Sequence, residues 1–462
     1  MALAVATATF ALRAVATGAH EPLAPLAETR DWWLGCMPFA LLLLSLAVLP
    51  LIGPVEAWWE RNTSKLAFSC LMGLAAMGWM SWRTGPGVAM SAAGHAAGEF
   101  VPFIVLLLSL YLIAGGVHIE GSMLGTTATN TVILAAGGVL ANLLGTTGAS
   151  MLLIRPLLEA NRSRRHQVHT VVFFIFVVSN VGGCLLPIGD PPLFLGFLRG
   201  VPFLWTLGLW KAWALAVGLL LATYVIIDRR MQRDETPIAP STATSPIRVR
   251  GWPNVALLLL AVLAVATIQP GRPLLGWVPP PLAREAALLL LGLASVGFEP
   301  WRVRRDRGFS LAPMGEVAAV FAGIFLAMQV PLAVLEHHGG SLGLDSPIRL
   351  FWWTGGLSSV LDNAPTYLVF MGVARSVTLQ AAEPSTVMLA DGGWIRGDLL
   401  AGVSLGAVFL GAMTYIGNGP NLMVRAIAAN SGVRMPGFGG YLLWSLGLLL
   451  PVLALVSWLC LA

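Results

Sequence analysis

Apolar runs follow one another along nearly the whole chain, separated by short polar stretches. Residues 39–52, 100–114, 168–184, 205–227, 255–268, 286–296 and 317–334 are almost unbroken runs of this kind. A helix of about 20 apolar residues crosses a bilayer, so these runs, some with their flanks, are expected to be transmembrane helices. Two longer stretches are interrupted: 126–158 at Leu144-Gly-Thr-Thr-Gly-Ala-Ser150, and 351–375 at Leu361-Asp-Asn-Ala-Pro-Thr-Tyr367. Each is expected to be a re-entrant helical hairpin whose ends lie on one side of the membrane.

Two further runs carry a break of another kind. Gly183-Cys-Leu-Leu-Pro-Ile-Gly-Asp-Pro-Pro-Leu-Phe-Leu195 aligns without a gap on Gly411-Ala-Met-Thr-Tyr-Ile-Gly-Asn-Gly-Pro-Asn-Leu-Met423. Gly183/Gly411, Ile188/Ile416, Gly189/Gly417 and Pro192/Pro420 coincide, and Asp190 falls opposite Asn418. Breaking a helix inside a membrane frees backbone groups where no water reaches them, and this is tolerated only where the break lines a cavity. Paired breaks in two halves of a chain point to the substrate and ion site of a transporter.

The order of elements gives the architecture. A span, an interrupted hairpin and a broken span occur in each half, with opposite polarity. Gly138/Gly355, Leu140/Leu357 and Leu144/Leu361 match at a constant offset. The expected fold class is therefore all-α: a polytopic membrane protein with two inverted-topology repeats, each holding one re-entrant hairpin and one broken helix. The expected organisation is a signal peptide or N-terminal arm over 1–30, an N-terminal half over 31–227, a cytoplasmic linker over 228–251 and a C-terminal half over 252–462.

Composition supports this. Of the 462 residues 57% are hydrophobic and 11% charged, against about 25% charged in soluble domains. The net charge of +5 comes mostly from Arg in short loops, as orientation signals do, and does not imply nucleic acid. An N-terminus outside places the Arg-rich loops in the cytoplasm, and the expected location is the inner (plasma) membrane of a bacterium, multi-pass. The four cysteines lie in or beside apolar runs without metal or disulfide spacing.

Asp190 and Asp362 are the acids expected near the membrane midplane. The others, Glu99 among them, fall near expected span ends. A carboxylate at the midplane can hold Na+ when ionised, or carry a proton. Asp190 before Pro191 is also a helix start, an N-cap followed by a first-turn proline, and Asn418 with Pro420 repeats it. The hairpin tips supply Thr146, Thr147 and Ser150 on one side, Asn363 and Thr366 on the other. Asn180 and Asn421 would close cages of neutral oxygens suited to Na+. A single Ser or Thr is as readily explained by a bond to the preceding turn, so the weight lies on the constellation. His118 and Glu120 read as interface residues at a span end, and His166, His169, His337 and His338 as solvated loop residues.

At these motifs the chain resembles the ion-transporter superfamily, most closely its citrate-transporter-like branch often labelled sodium:proton antiporter. Ser179-Asn-Val-Gly-Gly183 followed by Pro187-Ile-Gly-Asp190 is similar to NhaD-type antiporters. Gly-Asp-Pro-Pro with Asp-Asn-x-Pro is similar to arsenite permeases and the melanosomal P-protein. The resemblance implies a homodimer with a scaffold and a mobile transport domain working as an elevator. It implies Na+ between Thr146, Thr147, Asn180 and Asp190, and a symmetric site joining Asp362 and Asn363 to Asn418 and Asn421. The tips here read Gly-Thr-Thr and Asp-Asn-Ala, whereas the dicarboxylate-transporter branch has Ser-Asn-Thr, which favours ion exchange. The expected function is Na+/H+ antiport. The alternative is Na+- or H+-coupled transport of citrate or another small anion. No cofactor is expected beyond Na+ as transported or coupling ion, and the partners are Na+, H+, a small anion in the alternative, and lipid. An enzyme is not expected: intramembrane aspartyl proteases resemble Gly-x-Gly-Asp and Tyr-Asp, and neither motif fits Asp190 or Asp362.

Overall fold

Helix dominates because a chain this apolar must satisfy its backbone internally. A computed structural model describes residues 31–59, 61–121, 123–233, 248–269, 273, 276, 278–306, 309–381, 387–390 and 392–462. The expected arm 1–30 and most of the expected linker lie outside the described residues. Helices α1 (Trp32–Val48), α2 (Asn62–Thr84) and α3 (Pro86–Ala114) come first. A short strand β1 (His118–Glu120) pairs antiparallel with β2 (Arg248–Arg250), at the far end of the linker.

Next comes α4 (Thr127–Ala160), continuous by hydrogen bonding but turned at Gly145 (φ 73, ψ 155). Asn130 and Asn161 exchange two side-chain hydrogen bonds of 2.8 Å. Along a straight helix those residues would stand about 46 Å apart, so α4 folds back on itself. Its two arms also meet at Gly137, where an added Cβ would lie 2.9 Å from the Leu153 side chain. Beyond it run α5 (Val168–Val177), a break with one 3₁₀ turn, Val181–Cys184, then α6 (Pro191–Leu198) and α7 (Trp210–Arg233).

The second half has α8 (Trp252–Thr267), α9 (Ala283–Phe298), α10 (Ala312–Ala327), α11 (Gln329–His338), α12 (Pro347–Ser358) and α13 (Asn363–Ala381). A two-stranded turn, β3 (Val387–Met388) with β4 (Trp394–Ile395), leads to α14 (Gly397–Leu410), then a second break, α15 (Gly419–Asn430) and α16 (Phe438–Leu461). Among the described residues, α3, α7 and α16 are long and apolar enough to cross a membrane. So is α4 by length, though it turns back at mid-course. The run 317–334, expected as one span, is bent by 47° between α10 and the helical stretch Gln329–Leu342.

One side of the molecule is a wall. Helices α2 and α10 touch backbone to backbone: an added Cβ on Gly323 would lie 2.0 Å from Ser69 O. Ser69 donates to Ala319 O at 2.6 Å, and Lys65 pairs with Glu316 at one end of the crossing. Small residues at a crossing permit this approach where lipid offers no hydrophobic drive between helices. Helices α8 and α9 pack on α3. Arg304, 1% exposed, ties them by donating to carbonyls of Leu112, Ser295 and Glu299 at the helix ends.

Two polar positions depart from the sequence expectation. His169 is 2% exposed rather than solvated: with Arg164 and Thr127 it surrounds the buried Asp228 carboxylate, at 2.7, 2.8 and 2.5 Å. Burial of Arg164, His169 and Asp228 follows from α7 covering the open end of the α4 hairpin. Glu99 lies in the middle of the 29-residue α3 rather than near a span end, because α3 begins at Pro86. It is 7% exposed and pairs with Arg199, the residue closing α6, and with His95.

Candidate ion and substrate site

Four chain interruptions meet at one place. The α4 tip is made by Gly145, whose φ of 73° and ψ of 155° lie in a region essentially restricted to glycine. The turn lets Thr146 N donate to Gly189 O at 2.8 Å, which fastens the tip to the first break. The second tip is fastened likewise: Thr414 Oγ1 donates to Ser359 O at 2.5 Å and accepts from Ile416 N and Gly417 N at 3.2 Å.

Asp190 stands at the cap position of α6 with extended backbone, yet its side chain makes no capping bond. Pro191 and Pro192 carry no N–H to cap, and Leu193 N donates to Asp190 O instead. The carboxylate is thereby released for other partners. Oδ1 accepts from Thr146 Oγ1 at 2.8 Å and Asn418 Nδ2 at 3.1 Å, and Oδ2 from Asn363 Nδ2 at 2.7 Å. Asp190 is 1% exposed and, among the described residues, has no cationic partner. Three neutral donors replace its water. The helices α6, α13 and α15 and the second arm of α4 all start around it, and their N-terminal dipoles favour a negative charge there.

The other expected site residues are placed as follows. Asn180 donates to Asn421 Oδ1 at 2.7 Å, one step back from Asp190. Ser150 and Ser179 share a 2.9 Å hydroxyl bond behind the tip. Thr147 lines the cavity described below. Thr366 bonds back to Asp362 O at 2.9 Å, the ordinary helical use of a threonine. Asp362 caps α13, accepting from Ala364 N at 3.1 Å. Asn363 and Asn418, expected beside Asp362, have their amides on Asp190. The structure thus has one carboxylate at the centre and a second at its edge.

A cavity of about 70 Å³ opens beside this centre, enough for several waters or one small hydrated ion. The α4 tip, Asp362, Asn363 and Asn418 form one side, and Phe103 and Leu107 of α3 with Phe321 of α10 form the opposite side. Among the described residues no Lys, Arg or His lines it. Asn363 Oδ1 is buried without a hydrogen-bond partner, an oxygen of the kind a hard cation takes. The sequence reading missed Asn142, which accepts from Leu185 N at 2.7 Å and steadies the first break. An amide alone in an apolar arm was the available signal.

Residues 27–461 match the family model CitMHS_2, whose description reads "Putative citrate transport". The chain belongs to this family. With its apolar helices, membership makes it a multi-pass membrane protein of a citrate-transporter-like kind. No curated protein matches the chain.

Proposed function

We propose that this family member is a secondary active transporter that exchanges Na+ for H+ at Asp190. The observation that carries this reading is a carboxylate buried where two tips and two breaks meet, served only by neutral donors, beside a cavity without a cationic side chain. An uncompensated charge in such surroundings costs several kcal/mol to move through lipid. The empty, ionised site therefore resists crossing, while a site neutralised by Na+ or by a proton crosses. That difference alone makes the exchange obligatory.

The same reading extends to how the site moves. The hairpin and broken helix of each half form inverted repeats, and together they slide as one body against the wall of α2, α3, α9 and α10. Part of the contact surface is apolar: Phe103 of α3, backed by Phe321 of α10 at 4.9 Å, stacks on Phe194 of α6 at 6.5 Å. The Glu99–Arg199 ion pair also joins α3 to the end of α6 and has to part along the path. The protein is then a transporter rather than an enzyme.

A second reading, citrate carried with Na+ or H+, is favoured by the family description and by the converging helix N-termini, which suit an anion. Flux in proteoliposomes separates the two. Addition of Na+ to acid-loaded vesicles, with no organic anion present, should raise the internal pH, and Asp190→Asn should abolish the change. Citrate accumulation that requires Na+, with no exchange in citrate's absence, would overturn antiport in favour of the second reading.

A further inference from the structure

Both amides that touch Asp190 do so through their NH2 groups, and for Asn418 the cause lies two residues behind the cavity. The second break leaves the carbonyls of Gly411 and Thr414 without helical donors, and Asn421 Nδ2 serves both at 2.9 Å. Carbonyls only accept, so Asn421 must turn its oxygen the other way. Asn180 Nδ2 donates to that oxygen at 2.7 Å and to Ile175 O, freed by the first break, at 2.8 Å. The Asn180 oxygen is therefore turned to Asn418. Asn418 Nδ2 then faces three acceptors: Asn180 Oδ1 and Ser179 O at 3.2 Å and Asp190 Oδ1 at 3.1 Å. In the opposite orientation its oxygen would face three oxygens.

We propose that Asn180 and Asn421 are positioning residues of an amide relay, oriented by carbonyls of the two breaks, which holds Asn418 as a donor to Asp190 and so weakens that carboxylate's grip on its cation. All three are fully or almost fully buried. A donor on the empty carboxylate stabilises the unloaded anion, and whatever stabilises the unloaded state lowers affinity for the ion and speeds its release. The relay thus keeps the site from becoming a trap. This inference rests on the reading of Asp190 as the ion-carrying group.

The sign of the effect separates the relay from mere packing. A hydrogen bond to a charged group corresponds to about a tenfold change in affinity. Na+-driven exchange is measured in proteoliposomes at one alkaline pH, for wild type, Asn421→Ala, Asn418→Ala and the double variant, with Asp190→Asn alongside. Each single variant should lower the Na+ half-saturation about tenfold and lower the maximal rate with it. The double variant should match either single one, because both remove the same donor. A raised or unchanged half-saturation, or additive effects, would overturn the relay. Should Asn421→Ala not be recovered folded, Asn180→Ser interrupts the same chain at its middle and is read in the same way. Persistent exchange in Asp190→Asn would sink the reading of Asp190 as the ion-carrying group, whereas a dead Asp190→Asn with an additive cycle would sink only the relay.

Discussion

Replacing Gly145 by Ala tests whether the turned tip positions the site. The backbone there has φ 73° and ψ 155°, and an alanine in that region costs about 1–3 kcal/mol. Space is not the difficulty, since the nearest atom to an added Cβ is Ile188 O at 3.4 Å. Against the strain stand the two bonds of Thr146, one to Gly189 O and one to Asp190, each 2.8 Å. Together they contribute about 2–4 kcal/mol, the bond to the carboxylate being the larger. The bonds roughly match the strain, so the fold should survive while the tip loses its fixed geometry. Unfolding free energy should drop by about 1–3 kcal/mol, and exchange in proteoliposomes should fall at least about tenfold. Gly78→Ala in α2 is the control: nothing lies within 4 Å of its added Cβ, and helix propensity predicts a gain of about 0.5–1 kcal/mol with unchanged exchange. Wild-type stability together with wild-type exchange in Gly145→Ala would refute the argument.

Four further outcomes are expected. Asp362→Asn retains the cap on α13 and should keep exchanging, with a severalfold higher Na+ half-saturation, while Asp190→Asn should be inactive; equal effects of the two would remove the distinction between centre and edge. Asn161→Ala strands the buried Asn130 amide and should cost about 1–3 kcal/mol of stability, read as a lowered unfolding temperature in detergent. Arg164→Met leaves Asp228 buried with one cationic partner fewer and should cost about 3–5 kcal/mol, read as lost folded yield, with Arg164→Lys milder. In the proposed exchange Na+ and H+ claim one carboxylate, so lowering the pH should raise the Na+ half-saturation and leave the rate at saturating Na+ unchanged; a fall in that rate alone would mean the two ions bind apart.

The membrane makes certain features of a sequence legible in isolation. Inside lipid each backbone group needs a partner within its own segment, so Gly145, the Gly-Asp-Pro-Pro break and its Gly-Asn-Gly-Pro counterpart stand out against their apolar surroundings. The positions of the two breaks and of both tips followed from that rule, and with them Thr146, Asp190, Asn363 and Asn418 as candidates. Pairing did not follow. Asp190 and Asp362 look alike in sequence, yet Asn363 reaches across 173 positions to Asp190 while Asp362 caps its own helix. Glu99 looked peripheral until α3 proved to start at Pro86, and His169 looked solvated until α7 covered it. The sequence by itself determined where the chain must break, because hydrogen-bond starvation in lipid is a local condition. Only the tertiary structure decided which oxygen faces which donor, because that depends on how tips and breaks far apart in the chain converge and on which way each amide is turned by its neighbours.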